Sequence, residues 1–183
     1  MYSRFTLIIA TVLVLISGPV VRAEDPSSLM LTDDQISVIR ANCIGVQSTL
    51  QRIHSSDALA YYNLVQQYYI ISVKLMAPMN GRVALNKLDG VAMTQTTVDF
   101  DDQVDNFRSM YQQYEETMQR ALSMNCKDQP VSFFDTLNLA RDHRAAVREA
   151  VDKATALINQ YESQFNTMRA AALKQATVTG TGR

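Results

Sequence analysis

The chain has 183 residues, with 17 Lys and Arg against 18 Asp and Glu, 47% hydrophobic and 19% charged residues, 2 Cys, 4 Pro, 6 Gly and no Trp. This is the composition of one ordinary folded domain, not of a disordered, collagenous or disulfide-dense chain. The near-neutral balance also excludes a nucleic-acid binder, which needs a basic surface.

The apolar share is concentrated at the start. Arg4 supplies a short positive region, and Phe5 to Ile16 is an apolar run broken only by Thr6 and Thr11. Gly18 and Pro19 then break any helix, and Val21-Arg22-Ala23 fits a cleavage site. This pattern predicts a secretory signal peptide over 1–23, cut before Glu24, followed by an N-terminal linker over 24–31. The rival reading is an uncleaved anchor, since the 17 uncharged residues from Phe5 to Val21 sit at the lower limit for a spanning helix. In that case this segment alone would touch a membrane. Loss of Arg4 and Arg22 leaves 15 basic and 18 acidic residues, a formal charge of −3.

The remainder reads as an all-α antiparallel helical bundle with long coiled-coil-like helices, over 32–176. Thr32 can cap a helix, Gln35 can reciprocate, and Leu31 and Ile36 stand at the staple positions. Ile36, Ile39, Cys43, Val46, Leu50 and Ile53 then step 3-4-3-4-3, a heptad seam. The next seam position is Asp57, so the seam stops, and Ser55-Ser56-Asp57 suits a new N-cap. A break is therefore expected near His54 to Ser56. A second helix carries Leu64, Tyr68, Ile71 and Leu75, and Pro78 should kink or end it. Val83 to Leu88 reads as more helix, Asp89-Gly90 as its exit and Val91 to Thr97 as a connector.

A third helix is expected to begin around Thr97 to Asp101, with Asp99, Asp101 and Asp102 at the positive end of its dipole. Val104, Phe107, Tyr111, Tyr114, Met118 and Ala121 continue the 3-4 stepping, and the helix should end near Asn125. Lys127 to Pro130 reads as a turn, with Pro130 as the first residue of a last helix. That helix carries Phe133, Leu137, Ala140, Val147, Val151, Ala154, Ile158, Tyr161, Phe165 and Met168. Neither Gly nor Pro interrupts 131–179, so it can run for about 45 residues, roughly 68 Å. Its far end must pack on something or protrude, and 177–183 is a flexible tail.

Two Cys in an exported chain most simply form one disulfide, Cys43–Cys126; the alternative is two free thiols. With the second and third helices as antiparallel neighbours, Cys126 falls level with about residue 59. A continuous first helix would then leave Cys43 about 24 Å away, whereas a bridge needs Cα atoms within about 7 Å. A fold-back near His54 cuts the offset to roughly 13 Å. The expectation is therefore a fold-back together with an intramolecular bridge.

Motifs for chemistry are sparse. Starting a calcium loop at Asp99 puts Val104 where Gly is needed and Met110 where Glu is needed, so that motif fails. His54 and His143 stand apart from any zinc, di-iron or haem spacing. His54 reads as a helix-end residue and His143 as part of a solvated face. Met76, Met79 and Met93 read as core filler, not a soft-metal set. Arg141, Arg144, Arg148 and Lys153 are diluted by Asp142, Glu149 and Asp152, giving a paired-charge surface. Tyr61, Tyr62, Tyr68 and Tyr69 exceed what one seam needs. They are either core and its covering or a sticky aromatic face for a partner.

Arg40-Ala41-Asn42-Cys43 with Gln47, Leu50, His54 and Asp57, then Leu75-Met76-Ala77-Pro78-Met79-Asn80 with Arg82, and Asn125-Cys126 with Gln129-Pro130, Phe134 and Ala140-Arg141 together resemble a loose group of small exported helical bacterial proteins. The resemblance covers most of the chain after the signal segment. It implies export and a helical bundle and transfers no catalytic residue. The expected function is non-enzymatic: a structural or protein-interaction module of the cell envelope, needing no cofactor or metal and working through a protein partner or self-association. The competing expectation is an extracytoplasmic ligand-binding or chaperone-like protein that uses the Tyr61–Tyr69 face.

Overall fold

The structure, a computed structural model, describes residues 31–180; the signal segment, all of the 24–31 linker but Leu31, and the last three residues lie outside the described residues. Every regular element among the described residues is helical. Thr32 opens the first of them. Its hydroxyl accepts from the Gln35 N–H at 3.3 Å while its own N–H donates to Gln35 Oε1 at 2.8 Å, closing a capping box.

Helix α1 then spans Asp33–Tyr69 without a break at His54–Ser56. Ser55 does not cap a new helix there; its hydroxyl donates to the Gln51 carbonyl one turn back, at 3.0 Å. The seam is interrupted at Asp57 because that position holds a partnered charge, not because the helix ends. Pro78 does not end the arm either. Ile70–Met76 forms a π-helical stretch in which the Ala77 N–H reaches back five residues to the Ser72 carbonyl. A proline crowds the carbonyl four residues before it, here that of Lys74, and removes one donor. The wider turn accommodates both faults, and α2, Ala77–Leu85, carries the helix on.

The exit from α2 is set by Lys87, not by Asp89-Gly90. Lys87 adopts φ 55°, and the N–H groups of Leu88 and Lys87 return to the carbonyls of Val83 and Ala84 at 3.1 and 3.0 Å. This is a Schellman closure with lysine where glycine is usual. Gly90 is needed for a different reason: a β-carbon there would lie 2.6 Å from Val83 Cγ1.

Helix α3 begins at Val91, so the expected connector is two turns of helix, and Asp99, Asp101 and Asp102 lie in its exposed interior. The 3-4 seam in fact extends back through Phe100, Thr97 and Met93, all buried. Threonine concealed it. Thr97 donates to the Met93 carbonyl at 3.0 Å and accepts from Asn80 at 2.8 Å, and Thr96 donates to Gln164 at 3.0 Å, so both hydroxyls are buried without loss. After Ser123 a tight turn at Asn125–Gln129 leads into α4, Pro130–Gly180, with Pro130 as the first helical residue. At 51 residues α4 is about 76 Å long, and it extends into the expected tail as far as Gly180. Its late residues Gln164, Met168, Ala172 and Gln175 share a cleft with Lys87, Leu88 and Asp89, so the far end lies alongside the tip of the α2–α3 hairpin.

The antiparallel register explains how a continuous α1 still reaches Cys126. Asn80 faces Thr97, but Tyr68 already lies between Phe100 and Phe107. Because α3 starts at Val91, the Asn80–Thr97 pairing already puts about residue 51, not 59, level with Cys126, and the wider π winding adds a further slip of the first arm along α3. Tyr61 then meets Phe107 and Tyr111, His54 meets Glu115, and Gln47 donates to the terminal α3 carbonyls of Leu122 and Met124. Cys43 arrives beside Cys126 and is bonded to it, with Cα atoms 5.6 Å apart. Two clusters fill the interior. One surrounds the disulfide with Leu50, Tyr114, Met118, Phe133 and Leu137; the other holds Tyr68, Met76, Phe100, Phe107, Ala150 and Ala154.

Closing a loop with a sequence separation of 83 is worth about 4.5 kcal/mol on a chain-entropy basis. Reduction should lower unfolding stability in urea by about 2–5 kcal/mol while leaving far-UV helicity intact. At the hairpin, Lys87→Gly should raise stability by about 0.5–1 kcal/mol by removing the left-handed strain. Gly90→Ala should lower the melting temperature because Val83 cannot retreat; opposite signs for these two changes in the same denaturation assay check the geometry.

Candidate functional site

The densest polar arrangement lies halfway along the bundle, where two seam interruptions meet. Asp57 occupies the α1 seam position after Ile53. Arg144 occupies the α4 seam position between Ala140 and Val147. Arg144 Nε and Nη2 each donate to an Asp57 oxygen at 2.8 Å, a bidentate pair, and the Tyr114 hydroxyl of α3 donates to Asp57 Oδ2 at 2.6 Å. The Asp57 side chain is only 18% exposed, against 46% for Arg144. Burial pushes the Asp57 carboxyl up, but the hydrogen bonds from Arg144 and Tyr114 outweigh it and hold the group below its ordinary value. Burial and the bond to Asp57 push the Tyr114 hydroxyl well up, so it remains a donor.

An aromatic wall stands beside this knot. Tyr61 stacks on Tyr111 with centroids 3.8 Å apart and planes at 8°. The Tyr111 hydroxyl donates to Glu115 Oε2 at 3.2 Å, and the same oxygen meets His54 Nε2 at 2.8 Å. His54 is thus a mid-helix residue bridging α1 to α3, not a helix-end residue. Between wall and knot lies a cleft of about 140 Å³, smaller than an ordinary small-molecule pocket of about 300–1,000 Å³. His143 also departs from its expected solvated role: its Nδ1 lies 3.0 Å from Thr117 Oγ1 and 3.1 Å from the Gln113 carbonyl, joining α4 to α3. Arg144 likewise leaves the expected paired-charge surface and turns inward, whereas Lys153 pairs with Glu149 at 2.7 Å on the outside.

The four tyrosines divide by face. On a helix, positions seven apart share a side while neighbours diverge by about 100°. Tyr61 and Tyr68 therefore point inward together. Tyr68 lies edge-on to Phe100 and Phe107, 5.6 Å from each. Its buried hydroxyl has no hydrogen-bond partner, and burial pushes its pKa up. Tyr62 and Tyr69 point outward, 59% and 49% exposed, in a stripe with Leu59, Ile70 and Val73. Met76 and Met93 are buried core residues. Among the described residues no cluster of three His, Cys, Asp or Glu could hold a metal ion.

The Asp57–Tyr114–Arg144 knot does not show in the pattern of any single helix, because each of its members comes from a different one. The signal was present: one acid and one base each stand at an otherwise apolar seam position.

Asp57→Leu and Arg144→Leu should each cost about 1–3 kcal/mol, since each leaves a partly buried partner unpaired. The triple change Asp57→Leu, Arg144→Leu, Tyr114→Phe should cost less than the larger single, measured by urea unfolding at pH 7. Additive losses would contradict the arrangement. A carboxyl lowered on folding adds stability above its unfolded pKa of about 3.9 and forfeits it as pH falls through the lowered folded value. Stability of the wild-type chain should therefore fall more steeply than that of Asp57→Asn on acidification from about pH 4.

No protein-family model, curated protein or solved structure was found to match the chain.

Proposed function

We propose that this protein is exported and serves, without catalysis, as a helical-bundle protein-interaction module of the cell envelope. The observation that carries the reading is the outward stripe of Leu59, Tyr62, Tyr69, Ile70 and Val73 on an arm whose position is pinned by a disulfide. Aromatic side chains on a rigid, preformed face are efficient anchors for a partner, because little side-chain entropy is lost on binding. The signal-like segment ahead of the bundle supports export. So does the Cys43–Cys126 bond, which persists in oxidising compartments. No described helix is long and apolar enough to cross a membrane.

The titratable side chains between the helices are each held by hydrogen-bond partners within the bundle, which favours a structural role for them. Asp57 is held by Arg144 and Tyr114, Glu115 by His54 and Tyr111, and His143 by Thr117 and Gln113. A chaperone-like reading would use the same stripe but accept many unfolded clients instead of one folded partner.

A photo-crosslinking residue placed at Tyr62 or Tyr69 in the native host should yield one discrete adduct, while the same residue at exposed Asp102 on α3 should yield none. Tyr62→Ser with Tyr69→Ser should abolish the adduct formed from a crosslinker at Leu59 and leave the melting temperature within a few degrees of wild type. A smear of clients would favour the chaperone-like reading. Equal crosslinking from both faces would sink both readings. Retention of the full chain mass, instead of a chain starting at Glu24, would replace export with anchoring.

A further inference from the structure

A second surface, separate from the tyrosine stripe in its lining and its charge, faces the gap between the π stretch with α2 and the late part of α4. Its walls are Ile71, Leu75, Pro78 and Met79 on one side and Ile158 and Phe165 on the other, around a groove of about 340 Å³. Tyr161 ties the walls together, its hydroxyl lying 2.9 Å from Asn80 Oδ1 and 3.2 Å from the Met76 carbonyl. The groove is therefore pre-formed, and the π stretch supplies part of one wall, where Leu75 is 59% exposed. Three charged side chains line it: Lys74, Arg82 and Glu162. Among the described residues neither Lys74 nor Arg82 forms an ion pair.

We propose that this groove binds one single-chain anionic amphiphile, its acyl chain lying between the Leu75–Met79 and Ile158–Phe165 walls and its headgroup meeting Lys74 and Arg82. The volume sits near the lower end of small-molecule pockets, which suits one chain and not a two-chain lipid. Two free cations against one carboxylate favour an anionic head over a neutral or cationic one. A concave slot between two helices accepts a monomer, where a bilayer surface would need a flat or convex apolar face.

The test is calorimetric titration of the disulfide-bonded protein, in the form purified after export, with dodecanoate, dodecyl maltoside and dodecyltrimethylammonium, each below its micelle concentration. One saturable site for dodecanoate is expected, with at least tenfold weaker binding of the other two. Lys74→Gln with Arg82→Gln should weaken dodecanoate at least tenfold and leave dodecyl maltoside unchanged. Leu75→Glu, at an exposed position, should abolish dodecanoate binding without shifting the melting temperature. The proposal is overturned by the absence of a saturable site, by several equivalents bound, by equal affinity for all three heads, by insensitivity to the Lys74 and Arg82 changes, or by binding to anionic vesicles without binding to dodecanoate.

Discussion

The carboxylate of Asp57 is held at once by Arg144 from α4 and Tyr114 from α3, so one side chain of α1 joins all three arms of the bundle. Apolar heptad seams alone leave helices free to slide by a heptad, since each step offers similar burial. A charge that finds its partner in one alignment only removes that freedom. The knot lies between the disulfide cluster and the Phe100–Phe107 cluster, where a slip would disturb both. The disulfide repeats the same constraint at the end of the bundle, joining α1 to the α3–α4 turn.

Alignment has a second determinant at the opposite end. Pro78 is tolerated inside a helical arm because the Ile70–Met76 stretch winds wide ahead of it. That widening adds to the slip of the first arm along α3, which together with the short turn ahead of Val91 lets an unbroken α1 bring Cys43 to Cys126. Ile70, Val73 and Leu75 of the same stretch are exposed. The same irregular stretch thus carries part of the exposed tyrosine stripe and part of one wall of the groove.

The low charge content takes on a structural meaning in this setting. Polar contacts between helices are made largely by uncharged groups: Asn80 with Thr97, Thr96 with Gln160 and Gln164, Gln47 with the end of α3, and Gln103 with the Ala150 carbonyl. Neutral hydrogen bonds are cheaper to bury than ions, and they impose directional preferences that apolar packing lacks. Asp57, the least exposed carboxylate among the described ion pairs, is matched by Arg144.

Much of this architecture was legible from residue order. The Thr32–Gln35 capping box, the Phe107–Ala121 seam, the Pro130 helix start and the pairing of two lone cysteines are local or compositional signals, set by backbone hydrogen bonding and helical periodicity. What residue order alone misread were the points where a local signal is overridden from another helix. Asp57 imitated a helix start because its partner Arg144 is 87 residues away. Thr96 and Thr97 imitated a connector because their burial depends on Gln164 and Asn80. Pro78 imitated a terminus because a π turn is visible only in backbone geometry, and the division of the tyrosines into Tyr61 and Tyr68 inside, Tyr62 and Tyr69 outside, waited on which face α3 covers. The sequence by itself therefore determined that the chain would be helical and seamed, because those properties follow from short-range periodicity, and its two lone cysteines offered one intramolecular pairing. Only the tertiary structure decided the register of the arms and the faces left open, because both depend on partners far apart in the chain.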